Sequence, residues 1–161
     1  MTDEWSGPDD GFSALFRAEF PSVLRVVQAI VGDRAVAQEV TQDAFVEALR
    51  RWPKVGAHER PGAWVRRVAI RRAVRVRDRR IAEPSPDEPA SGRGDAPADL
   101  DLHRAVAALP RAQRAAVALF YLEDRPVAEV AELMGCSAAT VKVHLHRARA
   151  RLAQTLTSIE D

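Results

Sequence analysis

Residues 82–99 read AEPSPDEPASGRGDAPAD and offer the chain almost nothing to bury. Proline, glycine, serine and acidic residues in this mixture make a linker rather than a folded layer. The linker divides the 161 residues into two blocks, 12–81 and 100–158, behind an acidic tail at 1–11. Blocks of that size bury only small cores. Fully extended, residues 83–99 span on the order of 55–60 Å at about 3.3–3.6 Å per residue.

Strand-like alternation is hard to find in either block, so the expected fold class is all-α: two small helical domains joined by a flexible linker. In the first block Phe12, Leu15, Phe16, Phe20, Val23, Leu24, Val27 and Ile30 form the apolar stripe of a helix over 12–31. Pro21 is expected to bend or split it, and Gly32 to end it. Asp33 is the expected cap of a second helix, running to about 52. Val36, Val40, Ala44, Phe45, Ala48, Leu49 and Trp52 would face inward. A loop over 53–61 leads to a third helix over 61–80, with Trp64, Val65, Val68, Ala69, Ala73 and Val76 inward. In the second block a short helix carries Leu102, Ala105, Val106 and Leu109. Another follows over 110–122, with Val117, Leu119, Phe120 and Tyr121 supplying bulk.

Residues 126–152 have the layout of a helix-turn-helix, whose second helix enters the DNA major groove. Pro126 suits a first helical position. Val127, Val130, Ala131 and Met134 recur on one face. Gly135 stands where a left-handed cap is needed, Cys136 fills the turn, and Ser137 caps the next helix. There Val141, Leu145, Ala148 and Leu152 are inner. Thr140, Lys142, Val143, His144, His146, Arg147, Arg149 and Arg151 are the candidates for duplex contact. Residues 140–151 contain no acidic side chain, whereas a merely solvated face mixes signs.

Net charge is only +1, so it is the distribution that is informative. Glu39, Asp43 and Glu47 fall four apart on one strip, beside Gln38 and Gln42. That strip reads either as an ordinary solvated face or as a docking surface for a basic partner. Arg66, Arg67, Arg71, Arg72, Arg75, Arg77, Arg79 and Arg80 are opposed only by Asp78 on the third helix. Such a run favours a polyanion. An anionic membrane surface is the weaker match, because the apolar face holds small residues and valines.

Two blocks, in order, resemble one family. LPRAQRAAVALFYLEDRPVAEVAELMGCSAATVKVHLHRARARL is similar to region four of the extracytoplasmic-function sigma factors of bacterial RNA polymerase. AVAQEVTQDAFVEALRRW with PGAWVRRVAIRRAV resembles their region two. The resemblance implies a promoter-specificity subunit that works with core RNA polymerase. It assigns Gln38, Glu39, Gln42, Asp43 and Glu47 to the clamp helices of the polymerase largest subunit. It assigns the melted promoter element to Val55, Gly56, Ala57, His58 and Trp64, with Arg66, Arg67, Arg71 and Arg75 as a track for the strand. It assigns the upstream duplex to Ser137 and the basic helix after it, with Lys142, His146 and Arg147 nearest base edges and Arg149 and Arg151 on phosphates. An anti-sigma factor is a further implied partner. Two positions depart from the family's pattern: Ile70, Arg71 and Arg72 stand where an asparagine is common, and Val143-His144 where Ser-Arg is frequent.

Other chemistry finds little support. The single cysteine excludes an internal disulfide. The N-terminus lacks a signal-peptide pattern, and no apolar run approaches the roughly 20 residues of a membrane span, so a cytoplasmic protein is expected. His144 and His146 are two apart and diverge, unlike metal ligands. No phosphate-cradling loop or catalytic set is evident, so neither a cofactor nor an enzyme is expected. A stand-alone helix-turn-helix regulator is the alternative reading, and a charged adaptor that sequesters partners is a third.

Overall fold

The computed structural model describes residues 10–76 and 97–160, and contacts divide the chain between Arg75 and Val76 into two compact units. Every regular element among the described residues is helical. The expected acidic tail, apart from its last two residues, and the linker up to residue 96 lie outside the described residues, as do Arg77, Arg79 and Arg80.

The first unit holds α1 (Asp10–Val31), α2 (Arg34–Arg50), the single turn α3 (Trp52–Val55) and α4 (Pro61–Arg75). Pro21 does not split α1. It is exposed, so the carbonyl that loses its partner there can turn to water. Gly32 ends the helix at φ +80°, with its N–H on Gln28 O at 2.8 Å. Asp33 then caps α2 by accepting from Val36 N at 3.1 Å. The core joins Val23, Val26, Val27 and Ile30 of α1 to Ala37, Val40, Thr41, Ala44, Phe45 and Ala48 of α2, and to Val65, Ala69, Ile70 and Ala73 of α4. Alanines on α2 and α4 let the helices approach closely. Buried Thr41 returns its hydroxyl to Ala37 O at 2.7 Å, which satisfies it locally. At one end Phe45 meets Phe16 and Phe20, and Phe12 meets Trp52 edge-on at 5.5 Å.

Several expectations need correction. Leu49 is exposed, because it falls just beyond the buried strip of α2, and Ile70 is fully buried. The supposed loop begins with α3, whose Val55 N–H bonds Arg51 O at 2.9 Å. Val55 is therefore a core residue, 1% exposed. Gly56 lies against Trp52: a Cβ there would meet the indole at 2.9 Å. The third helix is described as far as Arg75, and its expected continuation over 77–80 lies outside the described residues.

The second unit holds α5 (Pro97–Ala107), α6 (Arg111–Val117), a π turn (Ala118–Leu122), α7 (Val127–Met134) and α8 (Ala138–Glu160). α5 starts at Pro97, inside the segment expected to be linker, with proline at a favourable first position. Ala105, Leu109, Ala115, Ala116, Val117, Ala118, Leu119, Val130, Ala131, Leu133, Val141, Leu145 and Ala148 make the core. Arg114 is buried and donates to Ala107 O at 3.2 Å, where a cation suits the carbonyl end of α5. The π turn swings Tyr121 and Leu122 outward, so Tyr121 is exposed rather than core. Pro126 is the cap of α7, one place before its first turn.

Gly135 adopts φ +70° as expected, and Cys136 N–H reaches back to Ala131 O at 3.0 Å. Together they stop α7 in the manner of a Schellman end. Ser137 starts α8 by accepting from Thr140 N at 3.1 Å. This short turn fixes the direction in which α8 leaves.

Candidate nucleic-acid interface

α8 resolves into four strips. Val141, Leu145 and Ala148 are buried, with Leu152 half-buried behind them. The opposite ridge is Ala139, Val143, His146 and Ala150, at i, i+4, i+7 and i+11. All four are exposed. Lys142 and Arg149 border the ridge on one side. Thr140, His144, Arg147 and Arg151 border it on the other, with His144 and Thr140 half-buried. The helix thus offers a crest without a permanent charge between cationic shoulders. His144 and His146 occupy different strips.

Arg149 is held. Its Nε donates to Tyr121 Oη at 2.6 Å, and its guanidinium carbon lies 5.6 Å from the Tyr121 ring centroid. Phe120 meets the same ring edge-on at 5.0 Å. The outward turn of Tyr121 supplies this tether, and nothing in the periodicity of 110–122 announced it.

On α2, Gln38, Glu39, Gln42 and Asp43 are exposed. Glu47 stands apart from them. It is half-buried, accepts from Arg72 of α4 and lies 3.6 Å from Arg51. The strip accordingly divides into a solvent-facing part and an internal brace. Between the exposed polar groups sit Val46 and Leu49, 44% and 41% exposed. Sequence reasoning missed both, although Gln42 and Val46 are four apart on one face. Asp43, Val46, Glu47, Arg50, Arg51 and Arg72 line a surface hollow of about 360 Å³.

The arginines of α4 are not equivalent. Arg66 is half-buried, donates to the Ser22 hydroxyl and lies 3.6 Å from Glu19, so it faces α1. Arg71 is half-buried, whereas Arg67 and Arg75 are exposed. Trp64 is half-buried. Gly56, Ala57 and His58 are exposed at the turn after α3, where Val55 itself is not presented.

No described helix is long and apolar enough to cross a membrane. Residues 15–80 match the family Sigma-70 region 2, and residues 99–152 match Sigma-70, region 4. The chain is 31% identical to the RNA polymerase sigma-E factor of Streptomyces avermitilis, over 91% of this chain and 86% of that one. It is 28% identical to the ECF RNA polymerase sigma factor SigM of Mycobacterium tuberculosis, over 94% and 80%. Among solved structures it resembles the sigma factor RpoE in complex with the anti-sigma factor NepR from Bartonella quintana. That match has a TM-score of 0.65 at 22% identity and covers 91% of this chain and 96% of that one. With both regions present in one chain and in order, the protein belongs to the extracytoplasmic-function sigma factors and is an alternative sigma factor that directs transcription initiation.

Proposed function

We propose a division of this role between two domains, residues 12–81 and 100–158, joined by 82–99. The first binds core RNA polymerase through the outward face of α2, where Gln38, Glu39, Gln42 and Asp43 surround Val46 and Leu49. Its partner is the pair of clamp helices of the largest subunit. An apolar centre inside a polar rim is the usual anatomy of a specific protein interface. The exposed turn at Gly56, Ala57 and His58, with Trp64 and with Arg67, Arg71 and Arg75 of α4, holds the melted element. α8 reads the upstream element as duplex. The observation that carries the reading is the crest of α8, flanked by cations and turned opposite its buried strip. The protein acts without catalysis of its own and in the cytoplasm. A cognate anti-sigma factor is the natural inhibitor, as NepR is the partner of RpoE in the solved complex.

Co-elution of the full chain with core polymerase tests the docking. The wild type is expected to run as a complex with core, and failure to do so would contradict the reading. Glu47→Gln is expected to leave that complex within about twofold. Its effect falls on the brace to Arg72 and costs at most about 1 kcal/mol, seen as a small drop in the melting point of the first unit. A tenfold loss of polymerase binding would return Glu47 to the docking surface.

Phosphate contacts position a protein, and base contacts specify sequence. Arg147→Ala is therefore expected to relax promoter choice. Arg151→Ala weakens binding evenly and lowers the slope of log affinity against log salt by about 1. Competition among promoter variants at several salt concentrations distinguishes the two, and equal effects of both would sink the assignment.

A further inference from the structure

The crest of α8 has an unusual chemistry for a surface that meets a polyanion. Ala139, Val143, His146 and Ala150 carry no permanent charge, and Val143 is the one bulky apolar group among them, 44% exposed. The shoulders hold the cations: Lys142 and Arg149 on one side, Arg147 and Arg151 on the other. A B-DNA major groove has the complementary order across its width, phosphates on both walls and base edges on the floor. When Arg149 and Arg151 take the walls, the crest meets the floor, with Lys142 and Arg147 reaching the base edges beside it.

Among the base edges on that floor one apolar group stands out, the 5-methyl of thymine. Valine has no hydrogen-bonding atom, so it cannot read a donor or an acceptor. Its two methyl groups can exclude water from another methyl. The stiff β-branched side chain in a helix also fixes where those methyls point. Resting on the assignment of α8 to the upstream duplex, we propose that Val143 is a specificity residue that recognises a thymine 5-methyl group in the upstream promoter element. Its neighbour on the crest, His146, is the group that hydrogen-bonds an adjacent base edge.

The test uses the holoenzyme formed with core polymerase and a promoter mapped for this protein. Each upstream thymine is replaced in turn by deoxyuridine, which removes only the methyl. At one position the wild type is expected to lose about fourfold in affinity, the weight of one buried methyl. Val143→Ala should lose a similar factor on the thymine duplex and become indifferent to deoxyuridine at that position. Alanine is the better helix former, so the variant folds. Val143→Thr, which keeps one methyl, should be intermediate. Absence of any methyl effect, or full methyl sensitivity retained in Val143→Ala, overturns the proposal. Initiation by the wild type on the unmodified promoter separates the possible failures. With initiation intact and no methyl effect, the valine assignment alone falls. With initiation and affinity both unmoved even when the whole upstream element is replaced, the assignment of α8 falls with it.

Discussion

Phe45→Ala is expected to melt the first unit and leave the second folded. Phe45 is 2% exposed and lies where α1 and α2 meet. Its ring is 5.2 Å from that of Phe16, nearly edge-on, and 5.5 Å from that of Phe20. Truncating a buried phenylalanine costs about 3–5 kcal/mol through lost transfer energy and the cavity left behind. Domains of this size hold only about 0.05–0.15 kcal/mol per residue, so the loss takes most of what keeps residues 10–76 folded. Circular dichroism of the full chain should show one melting transition lowered by at least about 10 °C, with the transition of the second unit unmoved. A shift of only a degree or two, or both transitions falling together, would contradict this account of the core.

Glu39→Lys combined with Asp43→Lys should abolish association with core polymerase while the fold stays intact. Both side chains are exposed, so reversal disturbs no buried contact. Each reversal replaces an attraction to a basic partner with like-charge repulsion, which across an interface costs several kcal/mol. The expected loss is a hundredfold or more in affinity for core polymerase, measured by competition against the wild type. The melting point should stay within about 3 °C. Duplex binding by α8 is expected to survive, since that surface belongs to the other unit. Unchanged polymerase affinity would remove α2 from the docking surface.

The helix boundaries near caps were legible because they depend on local chemistry. Asp33, Gly135 and Ser137 each satisfy backbone groups a few residues away, and each does so in the structure. The apolar periodicity of α8 likewise placed its buried strip, whereas the cations expected opposite it stand to either side of a ridge of Ala139, Val143, His146 and Ala150. What was not legible depends on tertiary partners. Leu49 belongs to the apolar pattern of α2 yet faces out, because alanines carry the close contacts with α1 and α4. Ile70 looked like a substitution at a functional position and is a fully buried core residue. Val55 sits among loop-like residues but is drawn inward by the turn of α3. The π turn over Ala118–Leu122 shifts the register of a helix whose spacing looked ordinary, and it exposes Tyr121 to Arg149. Charge patterns behaved the same way. Glu47 and Arg72 each fit a uniform charged face by spacing, and only packing of α2 on α4 makes them partners.

Transcription from a genomic DNA library with purified core polymerase, with and without this protein, tests the central claim most directly. The expected result is a set of discrete new start sites that require the protein, with two shared sequence elements upstream of them. The contradicting result is the absence of new starts while the protein alone binds a two-fold symmetric duplex site, the behaviour of a stand-alone dimeric regulator.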